Sequence, residues 1–155
     1  RADAQKEGNA LAELTGIPVA TTLTAKGQFP ETHKLSLGVT GIWGSRAAND
    51  TCREADVILA VGTAFGEADC SSWIPDYTFA IPPTRLIQID IQSQEIGKSY
   101  PVEIGIVGDA RARGRGEHLR SIRPGIRGMF PAGWKTVARI APGRALARPG
   151  RSRRG

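Results

Sequence analysis

A chain of 155 residues is long enough for one domain with its own core. Its apolar share of 40% is ordinary for a globular protein, and no apolar run approaches the ~20 residues that a membrane-spanning helix needs. The net charge of +6 hides two opposed parts: residues 1–110 hold 8 Lys/Arg and 14 Asp/Glu, a net of −6, whereas residues 111–155 hold 13 Lys/Arg and 1 acid, a net of +12.

In chain order, ADAQKEGNALAELT (2–15) reads as a short helix with Ala10, Leu11 and Leu14 as its apolar stripe, stopped by Gly16 and Pro18. The chain starts without Met, in what reads as mid-helix, and has no signal-peptide core, so it is expected to be part of a longer, cytoplasmic protein. IPVATTL (17–23) reads as a strand, broken by Lys26-Gly27. LSLGVTGIWGS (35–45) is a glycine loop. Ser45 is a candidate N-cap for a helix over 46–55, with Ala47, Ala48, Thr51, Cys52 and Ala55 on one face. VILAVGT (57–63) is an apolar run suited to a strand buried on both faces. Residues 65–84 read as a long loop, RLIQIDI (85–91) as a strand, QEIGK as a turn with Ser93 as its cap, and 102–110 as a short strand interrupted by Gly105.

This order predicts an α/β fold with a Rossmann-like parallel sheet and helices on both faces. Ligands in such sheets bind outside the carboxyl ends of strands, here 22–27, 62–65, 90–93 and 108–109. The segment 112–155 is rich in Arg, Gly and Pro and is expected to be disordered. Its +12 permits a nucleic-acid-binding arm, but it lacks the aromatic interleaving of a stacking platform. A dispensable terminus and an altered reading frame are the other readings of this composition.

Few residues carry chemistry of their own. The glycines of the loop are spaced Gly-x-x-Gly-x-x-Gly, not Gly-x-Gly-x-x-Gly, and no strand is evident before them; a turn or packing role competes with phosphate binding. Asp90, at the end of a strand, is placed either to accept ribose hydroxyls or to cap a turn; Asp109 after Gly108 is similar. His33 reads as a solvent-exposed histidine without a partner, Ser71-Ser72-Trp73 as packing, and Cys52 and Cys70 as free thiols without metal-type spacing. No catalytic residue and no metal ligand is expected.

Taken together, LAELTGIPVATTLTAKGQFPETHKLSLGVTGIWGS, ADVILAVGTAFGEAD and RLIQIDIQSQEIGKSYPVEIGIVGDA resemble the central domain of thiamine-diphosphate-dependent enzymes, acetolactate synthase-like large subunits above all. The resemblance covers about residues 1–111. It implies a six-stranded parallel sheet that in the family holds FAD, ADP or nothing. It also implies a transferase that ligates or cleaves 2-oxo acids, with thiamine diphosphate and Mg2+ held by other domains. The family's activating Glu and its Gly-Asp-Gly…Asn metal motif have no counterpart here, so the chain alone is expected not to catalyse. In the FAD-binding members the loop and strand ends line the dinucleotide, which carries over to Gly41, Gly44, Gly62 and Asp90, and to Gly108 and Asp109. Where those members have Arg-Phe-Asp-Asp-Arg, this chain has Ala64-Phe65-Gly66-Glu67-Ala68, and Gln92-Ser93 replaces Asp-Pro. The implied partners are the parent enzyme's other domains and further copies in a homo-oligomer. A stand-alone nucleotide-binding module and a nucleic-acid binder remain as alternatives.

Overall fold

The computed structural model describes residues 5–108; Asp109 and the basic segment 112–155 lie outside the described residues. Helix α1 runs from Gln5–Thr15. It ends because Gly16 takes up φ +73 and turns its amide back onto the Ala12 carbonyl at 2.7 Å. The expected stripe is corrected: Ala12 is the inward residue at 2% exposure, whereas Leu14 is 65% exposed. A stripe of three residues is too weak to set the rotation of a helix.

Strand β1 (Val19–Thr21) pairs parallel to β2 (Ser36–Val39). The strand expected over 17–23 is shorter because Pro18 offers no amide and because Thr22 opens a 3-10 turn over Leu23–Ala25, its hydroxyl accepting from the Ala25 amide at 3.2 Å. Strand β2 went unpredicted. Gly38 inside it breaks the apolar pattern that signals a strand. A strand therefore does precede the glycine loop. Helix α2 (Arg46–Arg53) begins where expected, with the Ser45 hydroxyl accepting from the Ala48 amide at 3.1 Å. Ala48 is fully buried and Cys52 half-buried, but Ala47 is exposed and Asn49 turns inward in its place.

Strands β3 (Val57–Val61), β4 (Arg85–Asp90) and β5 (Ile104–Val107) form a second parallel sheet in the order β3-β4-β5. The single sheet of the prediction is thus two sheets, and the described residues supply five of the six strands that the resemblance implied. Registered neighbours share a face. On one face Ile58, Ala60 and Leu86 pack with Phe65, Cys70, Phe79 and Tyr100, whose three aromatic rings meet edge to face at 5.3–5.9 Å. The other face carries Val57, Leu59 and Val61, then Ile87 and Ile89, then Ile104 and Ile106, with Arg85 beside Val57 at its amino end. Its burial weakens toward the carboxyl end, from 8% exposure at Val57 to 45% at Val61. Middle strand β4 is buried along most of its length, whereas β3, the apolar run expected to be buried on both faces, is only half-buried at Ile58 and Leu59 and exposed at Val61.

The long loop 65–84 contains a 3-10 segment, Ala68–Trp73, in which Ser71, Ser72 and Trp73 have positive φ. A further turn spans Ser93–Glu95. Gln92, not Ser93, stands at its start, and no side chain caps it. Gly105 is explained by this turn: a Cβ there would sit 2.5 Å from the Ile96 side chain, which lies over β5.

Candidate functional site

The parallel ladder places the predicted strand ends side by side. The Gly62 amide donates to the Ile89 carbonyl and the Gly108 amide to the Asp90 carbonyl, both at 2.8 Å, so Gly62, Asp90 and Gly108 share one edge. Asp90 is 8% exposed, and its Oδ1 accepts the Gln92 amide at 2.9 Å. Of its two predicted roles, the one visible in the geometry is in a turn: its carboxylate closes an Asx turn onto Gln92, ahead of the Ser93–Glu95 turn.

Gly41 and Gly44 do not join that edge through strand pairing. They sit between β2 and α2, against the segment that follows β3. The Gly41 backbone is clasped by one side chain: its amide donates to Asn49 Oδ1 at 2.9 Å, and its carbonyl accepts from Asn49 Nδ2 at 3.0 Å. The neighbouring Ile42 amide donates to the Ala68 carbonyl at 2.8 Å. The Gly44 amide donates to the Gly41 carbonyl and the Ser45 amide to the Val39 carbonyl, at 3.0 and 3.1 Å. Gly41 has φ +87, and a Cβ on it would lie 2.0 Å from the Ala68 carbonyl oxygen. Asp69 completes the joint by accepting the Leu23 amide at 3.2 Å. The segment after β3 is thereby bonded to the loops that follow both β1 and β2.

A second buried side chain organises the same edge. Gln88 is 1% exposed on β4. Its Nε2 donates to the carbonyls of Thr63 and Glu95 at 3.2 and 3.0 Å, and its Oε1 accepts the Gly97 amide at 3.0 Å. One amide group thus holds the loop after β3 and the turn before β5. Asn49, Asp69 and Gln88 escaped the sequence reading. The available signal was a polar residue at an inward position of an otherwise apolar element, as Gln88 is in LIQID.

The reactive side chains are structural. His33 is half-buried rather than solvent-exposed: its ring meets Phe29 edge to face at 5.1 Å, Nδ1 accepts the Leu35 amide, and Nε2 lies 3.6 Å from Glu13. A helix supplied a partner that local sequence did not reveal. Burial pushes the Cys52 thiol up to about 12 and the Cys70 thiol up to about 11, so both stay protonated and inert. Tyr100, desolvated and hydrogen-bonded to Cys70, is raised as well. Among the described residues no cluster of His, Cys, Asp or Glu can hold a metal ion, and no helix is long and apolar enough to cross a membrane.

A pyrophosphate-bridged dinucleotide calls for guanidinium partners and amides turned toward it. Here Ala64 and Ala68 occupy the expected arginine positions, and the amides of Gly41, Ile42, Gly44 and Ser45 are bonded within the protein. These residues do not fit FAD or ADP.

The family model for the thiamine pyrophosphate enzyme central domain matches residues 1–115. The chain is 42% identical over 114 residues to the acetolactate synthase large subunit of Corynebacterium glutamicum, covering 72% of this chain and 17% of that protein. It is 45% identical over 101 residues to a probable acetolactate synthase large subunit of Methanocaldococcus jannaschii, covering 65% and 16%. A sulfoacetaldehyde acetyltransferase of Castellaniella defragrans is 37% identical over 112 residues, covering 71% and 18%. The chain therefore spans less than a fifth of the length of the curated relatives it matches. With its parallel strands and this match, the chain belongs to the thiamine pyrophosphate enzyme family, whose central domain it carries.

Proposed function

We propose that this chain serves as the middle domain of an acetolactate synthase-like transferase acting on 2-oxo acids, and that it does not catalyse alone. The observation that carries the reading is the family match over residues 1–115, in a chain that covers only 17% of its acetolactate synthase relative. Thiamine diphosphate supplies electron-sink chemistry in such an enzyme. This chain's own residues supply a scaffold: β4 buried between two apolar faces, its loops fixed by Gln88. Its partners in this role are the other domains of a family-length enzyme.

Two measurements test the reading. Purified chain given pyruvate, thiamine diphosphate and Mg2+ is expected to release no CO2; sustained turnover would overturn the claim of inactivity. A chimera of the Corynebacterium glutamicum large subunit carrying residues 1–111 of this chain as its central segment is expected to melt cooperatively. A chimera that is unfolded would overturn the middle-domain reading.

A further inference from the structure

We infer that the Gly41–Gly44 loop is a fastener between the two sheets, not a phosphate cradle, and that this domain rejects pyrophosphate-bridged dinucleotides. The inference deepens the middle-domain reading and rests on it, because it concerns the edge where FAD-holding members of the family place their dinucleotide.

A phosphate cradle needs donors without protein partners. The Gly41 amide is taken by Asn49, itself 8% exposed, and the carbonyl of the same residue is taken by the same amide group. The Ile42 amide is spent on Ala68, across the joint. Opening the loop to phosphate would therefore break the Asn49 clasp and the bond that holds the loop after β2 to the segment after β3.

The charges point the same way. Carboxylates stand in this region at Glu67, Asp69 and Asp90. The nearby cations are already engaged: Lys98 with Glu95 at 3.2 Å, Lys26 with Glu31 at 3.1 Å, and Arg46, which follows the loop, with Asp50 at 3.4 Å. No arginine follows β3 before Arg85, whose guanidinium pairs with Glu103 at the opposite end of the sheet. A pyrophosphate at this edge would meet carboxylates without a guanidinium clamp.

The full 155-residue chain is examined by calorimetry and thermal melting with FAD, ADP and inorganic pyrophosphate, each at millimolar concentration. No heat and an unchanged midpoint are expected with all three. A midpoint raised by several degrees by any of them, and restored by Asp90→Ala, would overturn the rejection. For the fastener, Asn49→Ala is expected to lower the melting midpoint equally with and without nucleotide. Asn49→Asp keeps an acceptor for the Gly41 amide but loses the donor to its carbonyl, and is expected to fall between the two. Wild-type melting in both variants would overturn the fastener. These readouts are independent of pyruvate turnover and of the chimera, so failure here leaves the middle-domain reading standing.

Discussion

Gly41 has room for no side chain at all. Its φ of +87 is one that L-residues seldom adopt, and the space where a Cβ would sit is occupied by the Ala68 carbonyl and the Asp69 backbone. Gly16 shares the positive φ but opens onto empty space. The pair separates conformational strain from steric overlap. Gly16→Ala is expected to cost about 1 kcal/mol, from backbone conformation alone. Gly41→Ala adds displacement of a packed backbone and is expected to cost about 3 kcal/mol or more. Urea titrations of both variants check this, and equal losses would show that the overlap relaxes freely. The loop's glycines were legible in sequence as a backbone requirement. Which requirement they serve was not, because it depends on residues more than twenty positions away.

Between elements, the fold relies on a few buried amides. Gln88 sits on β4, yet all three of its partners lie in the connections that flank the strand: Thr63 before it, Glu95 and Gly97 after it. Gln88→Leu keeps much of the volume but strands two carbonyls and an amide in the interior, and is expected to cost about 2–4 kcal/mol. Denaturant unfolding measures the cost. Hydrogen exchange at Gly97 reports whether the turn over Gly105 loosens with it. The elements themselves were largely readable: α2 from Ser45, β3 and β4 from their apolar runs, the end of α1 from Gly16. β2 was hidden by Gly38. The irregular path of 68–73 was hidden because positive φ at Ser71, Ser72 and Trp73 is imposed by packing around buried Cys70 and Thr78, and serine and tryptophan carry no local preference for it.

At the scale of the whole molecule, the described residues place three neutral acids in the interior, the Cys52 and Cys70 thiols and the Tyr100 phenol. Folding raises all three, so the unfolded chain releases their protons first. The stability that comes from keeping the thiols neutral is complete below pH 9, their ordinary value, and is lost as pH climbs toward 11 and 12. Unfolding free energy is expected to drop by about 2 kcal/mol per thiol between pH ~8 and ~10.5. Cys52→Ala is expected to flatten that slope, and urea midpoints across the range decide it. The family and its α/β class were legible because several segments agree in order and spacing. The division into two sheets, and the joint between them, were not, because neither leaves a periodic trace in the chain.

The order β3-β4-β5 is also the order in which those strands are written along the chain. β4 pairs with β3 before it and β5 with β4, so neither waits for a partner synthesised later. A polypeptide emerging amino end first can therefore lay down this sheet one strand at a time. The newest edge stays open only for as long as the next connection takes to be made. Parallel sheets are ordinarily slow to assemble because their contacts are distant in sequence. Here the arrangement keeps each closure to a single crossover and shortens the interval in which an unpaired edge meets other chains.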